Sequence, residues 1–86
     1  MTARDYPPLT PGELLLEEFM KPLDISANDL SVRAGLPLAQ VRDLLAGRTA
    51  ITADMARALG AAFEMSAQFW NSVQAQYDDE VRADLV

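Results

Sequence analysis

The sequence predicts a single all-α domain of five helices, and three observations carry that expectation. Ala and Leu dominate the chain while Thr, Val and Ile are scattered, a composition that favours helix over strand. Apolar residues recur at three- and four-residue spacing rather than in alternation. Caps and stops then punctuate the chain at the intervals that short helices need. At 86 residues, 50% of them hydrophobic, residues 1–86 suffice for one domain with one core and no more.

The elements follow in order. Residues 1–9 contain Pro7 and Pro8, which forbid helix and favour an extended N-terminal arm. Thr10, Pro11 and Glu13 read as a capping box with proline at the first helical position, and the first helix carries Leu15, Leu16 and Phe19 inward until Pro22 ends it near Met20. Ser26 caps a second, short helix with Asp29 at its third position, and Gly35 supplies a left-handed stop. Pro37 opens the third helix, which points Val41, Leu44 and Leu45 inward and closes at Gly47. Thr52 caps a fourth, with Met55, Leu59, Ala62 and Phe63 on one stripe. Ser66 caps the fifth and longest, whose stripe is Phe69, Trp70, Val73, Tyr77 and Val81.

Composition closes off most chemistry. With no cysteine and no histidine, the chain has no disulfide, thiolate, imidazole base or usual zinc or haem ligand, so neither metal nor cofactor is expected. Glu17 and Glu18 are sequence neighbours with no partner base in sight, which argues against an enzyme. Met1 to Pro8 is too short and polar for a signal peptide, and no apolar run approaches the roughly 20 residues of a membrane span. The expectation is a soluble cytoplasmic protein with no membrane contact.

The net charge of −6 runs against phosphate binding, but its distribution matters more than its sum. Arg33, Arg42, Arg48 and Arg57 against Asp43 and Asp54 leave residues 30–63 at +2, so the rest of the chain carries −8. A mildly basic middle lies between two acidic ends.

The spacing around Gly35 is the most informative local signal. Two short helices joined by Gly35 and Leu36 alone must cross steeply. Such a crossing needs a small residue at the closest approach, Ser31, a glycine at the positive φ of the turn, and Leu30, Val41 and Leu44 to pin one helix on the other. Small residue, glycine four later and β-branched residue six after that form a helix-turn-helix pattern over about residues 26–46, in which the third helix protrudes and offers its N-terminal half to a DNA major groove.

At these residues the chain resembles a known family. The runs Pro11-Gly12-Glu13-Leu14-Leu15-Leu16-Glu17-Glu18-Phe19, Lys21-Pro22-Leu23, Gly47-Arg48-Thr49-Ala50-Ile51-Thr52-Ala53 and Phe69-Trp70 are similar to the HigA-type antitoxins, the VapI/HigA group of the Xre-like helix-turn-helix superfamily. The resemblance spans roughly residues 6–82. It implies a lambda-repressor-like (Xre/Cro-type) domain with a longer C-terminal helix, acting as a homodimeric antitoxin. Such a protein binds double-stranded operator DNA, represses its own operon, and neutralises a HigB-like toxin, an mRNA-cleaving ribonuclease. Two other readings stay open: a stand-alone regulator without a toxin, and an interaction module that has lost DNA binding.

The resemblance places Leu38, Ala39, Gln40, Arg42 and Asp43 toward base edges. Gln40 suits adenine, and Arg42 suits guanine or a phosphate, each about 1–3 kcal/mol of discrimination if bidentate; Leu38 and Ala39 offer only apolar contact, suited to a thymine methyl. The bland alternative is a solvated helix face. Arg48 and Thr49, with Ser26, Ala27 and Thr52 at helix starts, are the phosphate-facing candidates; for Ser26 and Thr52 the minimal role is capping. Where family members commonly carry basic residues, this chain has Asp29, Val32 and Gln40, and each lost phosphate contact flattens the salt dependence by roughly one unit of slope. Phe69 and Trp70 read as core. The outer face of the last helix, with Leu85 and Val86 beyond, is the candidate dimer contact. Asp78, Asp79 and Glu80 read as a solvated end or as a steering patch for a basic toxin.

Overall fold

The computed structural model describes residues 9–84. Among them the chain forms α1 (residues 11–23), α2 (Ala27–Ala34), α3 (Leu38–Leu45), α4 (Ala53–Ala62) and α5 (Ala67–Asp84), with no strand. The expected N-terminal arm and the candidate contacts at Leu85 and Val86 lie outside the described residues, apart from Leu9, which is exposed.

The helix starts obey the local rule. In α1 the Thr10 hydroxyl accepts from the Glu13 N–H at 3.1 Å, and the Glu13 carboxylate accepts from the Thr10 N–H at 2.8 Å, so two otherwise unsatisfied donors are met reciprocally. Ser26 and Asp29 repeat the arrangement at α2. Thr52 accepts from the Met55 N–H at α4, and Ser66 from the Phe69 N–H at α5. Only α3 starts without a side-chain cap, because Pro37 stands at the capping position itself, one residue earlier in the helix frame than expected.

The end of α1 corrects the sequence reading. Pro22 does not stop the helix, which runs on to Leu23. Residues Leu16–Met20 form a π-helical turn, and the Lys21 N–H reaches back five residues to the Leu16 carbonyl. The widened turn removes the tight i−4 approach that a proline ring would otherwise strike, and Pro22 has no N–H to leave unpaired. The stop is Asp24, at φ 57°, after which the Ile25 N–H bonds the Met20 carbonyl at 2.9 Å.

One core joins the helices. Leu15, Met20, Leu30, Val41, Leu44, Met55, Leu59 and Trp70 are fully buried, Ala56 fills the floor of α4, and Ile25 and Ile51 seal the edges. Burying each of the larger side chains contributes about 1.5–3 kcal/mol. Phe19, Phe63 and Phe69 pack around Trp70 with centroids 4.9–6.0 Å away, in tilted and edge-on arrangements that aromatic quadrupoles favour. The expected stripes are therefore present, but Leu16, Phe19, Leu45, Ala62, Phe63 and Phe69 lie at the rim of the core, half-buried, rather than in its centre. Gly12 is buried where α1 crosses the end of α3: a Cβ there would lie 1.8 Å from the Leu44 carbonyl oxygen.

Candidate nucleic-acid interface

Three local devices set the attitude of α3. Gly35 takes φ 70°, and the Leu36 N–H returns to the Ser31 carbonyl at 3.1 Å, closing α2. Ser31 is half-buried, and its hydroxyl donates to the Leu36 carbonyl at 2.5 Å, so the small residue expected at the crossing also ties down the turn. At the far end Gly47 takes φ 78°; the Arg48 N–H bonds the Asp43 carbonyl at 2.8 Å and the Gly47 N–H bonds the Leu44 carbonyl at 3.1 Å, a Schellman closure.

Between those corners α3 is two-sided. Val41 and Leu44 are each 1% exposed and face the core. Ala39 and Arg42 are exposed on the opposite side, with Leu38, Gln40 and Asp43 half-buried beside them. Among the described residues the Arg42 side chain makes no ion pair or hydrogen bond. Asp43 is not an isolated base-facing group: its carboxylate accepts from Arg48 Nε at 3.1 Å, across the Gly47 corner. One candidate from each set is thus paired with the other. Val32, on the outward side of α2, is 84% exposed.

The phosphate-facing candidates divide. Arg48 and Thr49 are exposed on the loop after α3. At the start of α2 both the Ser26 N–H and its hydroxyl are engaged by Asp29, which leaves the Ala27 N–H in the first turn, where a helix supplies no internal partner. The Ser26 N–H and hydroxyl hold the Asp29 carboxyl below its ordinary range, with Arg33 adding to the effect, so this helix start carries a firm negative charge. The Thr52 hydroxyl is engaged in its cap.

Sequence reasoning missed Gln74. Its Oε1 accepts from the Ile51 N–H at 2.7 Å, joining α5 to the loop that carries Arg48. No local signal announces a bond between residues 23 positions apart. The acidic end of α5 is also less free than it reads, since Asp78 accepts from Gln74 Nε2 and Asp79 pairs with Arg82. Glu17 pairs with Lys21 at 2.8 Å. Among the described residues no cluster of His, Cys, Asp and Glu could hold a metal ion, and no helix is long and apolar enough to cross a membrane.

Fold and site together define a helix-turn-helix protein of the Xre-like class. No family model matches the chain. It is 34% identical over 74 residues to Virulence-associated protein I of Dichelobacter nodosus, covering 86% of this chain and 68% of that protein. Among solved structures it is similar to the Pseudomonas aeruginosa antitoxin HigA with the higBA promoter, at 39% identity and TM-score 0.78 over 83% of this chain and 77% of that one. A HigA-family addiction module antidote protein from Coxiella burnetii matches at 36% identity and TM-score 0.80, over 88% and 83% of the two chains. The chain belongs to the HigA-type antitoxins of the Xre-like helix-turn-helix superfamily. It spans 63% to 68% of the length of the curated relatives it matches.

Proposed function

We propose that this chain is a homodimeric antitoxin that binds double-stranded operator DNA, represses its own type II toxin–antitoxin operon and neutralises a HigB-like ribonuclease toxin. The observation that carries the DNA reading is α3: one face is locked to the core by Val41 and Leu44, while Arg42 stands exposed and unpaired on the other, between two glycine corners. Relatives support it, since the Pseudomonas aeruginosa HigA structure contains the higBA promoter and the antitoxin GraA structure contains its operator. In this reading Leu38, Ala39, Gln40 and Arg42 meet base edges, Arg48, Thr49 and the Ala27 N–H meet phosphates, and Ser26 and Thr52 hold the helix starts in place.

The Asp43–Arg48 pair refines the roles. Their side chains are 50% and 67% exposed, so the pair contributes little stability and is cheaply exchanged. A phosphate can take Arg48 from Asp43, which makes Asp43 a competitor for the backbone contact as well as a neighbour of the bases.

Titration of labelled upstream DNA at several salt concentrations tests the reading. Arg42→Ala is expected to weaken binding by about 1–3 kcal/mol and relax sequence preference, whereas Arg48→Ala weakens all sequences alike and lowers the salt slope by about one unit. Helical content should not change. If both variants bind as tightly as the parent, α3 has another role. Co-purification of the chain from its native host with a small basic protein tests the toxin arm.

A further inference from the structure

The loop from α3 to α4 is braced from behind by a side chain that belongs to neither helix. Residues 46–52 turn at Gly47, expose Arg48 and Thr49, and then bury Ile51 to 6%. Burying Ile51 draws its backbone N–H away from water, where an unmet donor costs about 1–3 kcal/mol. The donor is met by Gln74 Oε1 at 2.7 Å, and the same amide's Nε2 donates to Asp78 Oδ1 at 2.9 Å, one turn further along α5. The amide's direction is chemically determined: a backbone N–H only donates and a carboxylate only accepts, so oxygen must face the loop and nitrogen must face Asp78. Asp78 thereby orients Gln74, and Gln74 fixes Ile51, three residues after Arg48. Thr10, Arg48, Thr49, Gln74 and Asp78 line one concavity at this junction.

From this relay we infer that Gln74 is a positioning residue for DNA contact: with Asp78 it fastens the Arg48–Thr49 loop to α5, so that Arg48 reaches the phosphate backbone from a loop already set in shape. The inference rests on the DNA reading above. It assigns to Asp78 a task that a solvated end does not have. An unfastened loop would still fold back between α3 and α4, but it would be ordered only when DNA binds, and affinity would fall by that cost.

A double-mutant cycle on the full chain with labelled upstream DNA tests it. Gln74→Leu is expected to weaken binding roughly tenfold, the scale of one lost hydrogen bond, and to lower the salt slope by up to about one unit. Gln74→Leu combined with Arg48→Ala should bind no worse than Arg48→Ala alone, because both remove the same contact. A swap keeps the test independent of any folding defect. Gln74→Glu alone places two carboxylates one turn apart and should weaken binding. Adding Asp78→Asn gives the pair one acceptor and one donor again at unchanged net charge, and should restore affinity. Hydrogen exchange at the Ile51 amide should quicken in Gln74→Leu and slow again in the swap. Additive losses in the cycle, or a swap that protects Ile51 without restoring affinity, overturn the role of Gln74. A parent that shows no salt-dependent binding overturns the DNA reading itself and this inference with it, which keeps the two failures apart.

Discussion

Two regions of this fold finish their helices with the same backbone closure and different residues. On either side of α3 the left-handed position belongs to Gly35 and Gly47. Away from α3, at the ends of α1 and α4, it belongs to Asp24 at φ 57° and Glu64 at φ 56°. All four corners return the same hydrogen bond to the third-last turn residue, as with the Met65 N–H on the Gly60 carbonyl at 2.7 Å. A Cβ in this region costs on the order of 1–2 kcal/mol. The corners that hold the candidate recognition helix are therefore relaxed, and the corners of the scaffold behind it carry strain. Where α3 meets that scaffold, at Gly12, the reason for glycine changes from torsion to space.

The largest expected effect is at that meeting point. In Gly12→Ala the new carbon would fall 1.8 Å from the Leu44 oxygen and 2.7 Å from its carbon, both backbone atoms that no side-chain rotation can move. α1 and α3 must separate, and thermal unfolding should show a loss of about 3 kcal/mol or more. A loss below about 1 kcal/mol would mean that the two helices are not pressed together. Gly35→Val comes next. Nothing lies within 4 Å of a Cβ at Gly35, so the cost is torsional alone, about 1–2 kcal/mol, with the turn of α2 into α3 distorted. A smaller gain of about 0.5–1 kcal/mol is expected from Glu64→Gly, which relieves the scaffold corner. If Glu64→Gly destabilises instead, the contrast between relaxed and strained corners does not hold.

That contrast also explains what was legible. Thr10, Ser26, Thr52 and Ser66 could be read as caps because a cap is a three-residue rule, and Gly35 and Gly47 as stops because glycine announces positive φ. Glu64 announces nothing, and Asp24 only weakly, since aspartate visits the left-handed region more readily than other non-glycine residues but marks no particular corner. Pro22 misled because its usual conflict is relieved by a π-turn that no residue in Leu16–Met20 marks. At the site, the outward side of α3 followed from helical periodicity and the buried positions Val41 and Leu44. The Asp43–Arg48 pair and the Gln74 brace did not, because one spans a corner and the other spans the whole of α4 and the first two turns of α5.

The smallest effect concerns the two capping boxes, one opening the scaffold at Thr10 and one opening the helix-turn-helix at Ser26. In the second, the Ser26 N–H and hydroxyl favour the charged form of Asp29 and hold its carboxyl below the ordinary value of 3.8, with Arg33 contributing. A carboxyl whose folded value is depressed binds its proton more weakly in the native state than in the unfolded chain. Its contribution is therefore complete above the ordinary carboxylate value and is lost as pH falls from about 4 through the depressed folded value. Asp29→Asn removes that titration and keeps an oxygen for the Ser26 N–H. Denaturation of parent and variant from pH 6 down to pH 2.5 should show the parent more stable at the upper end and the gap closing as acid protonates Asp29. A gap that stays constant across the range would show that the box at α2 is held by shape alone, and that its charge plays no part in anchoring the helix on which α3 is mounted.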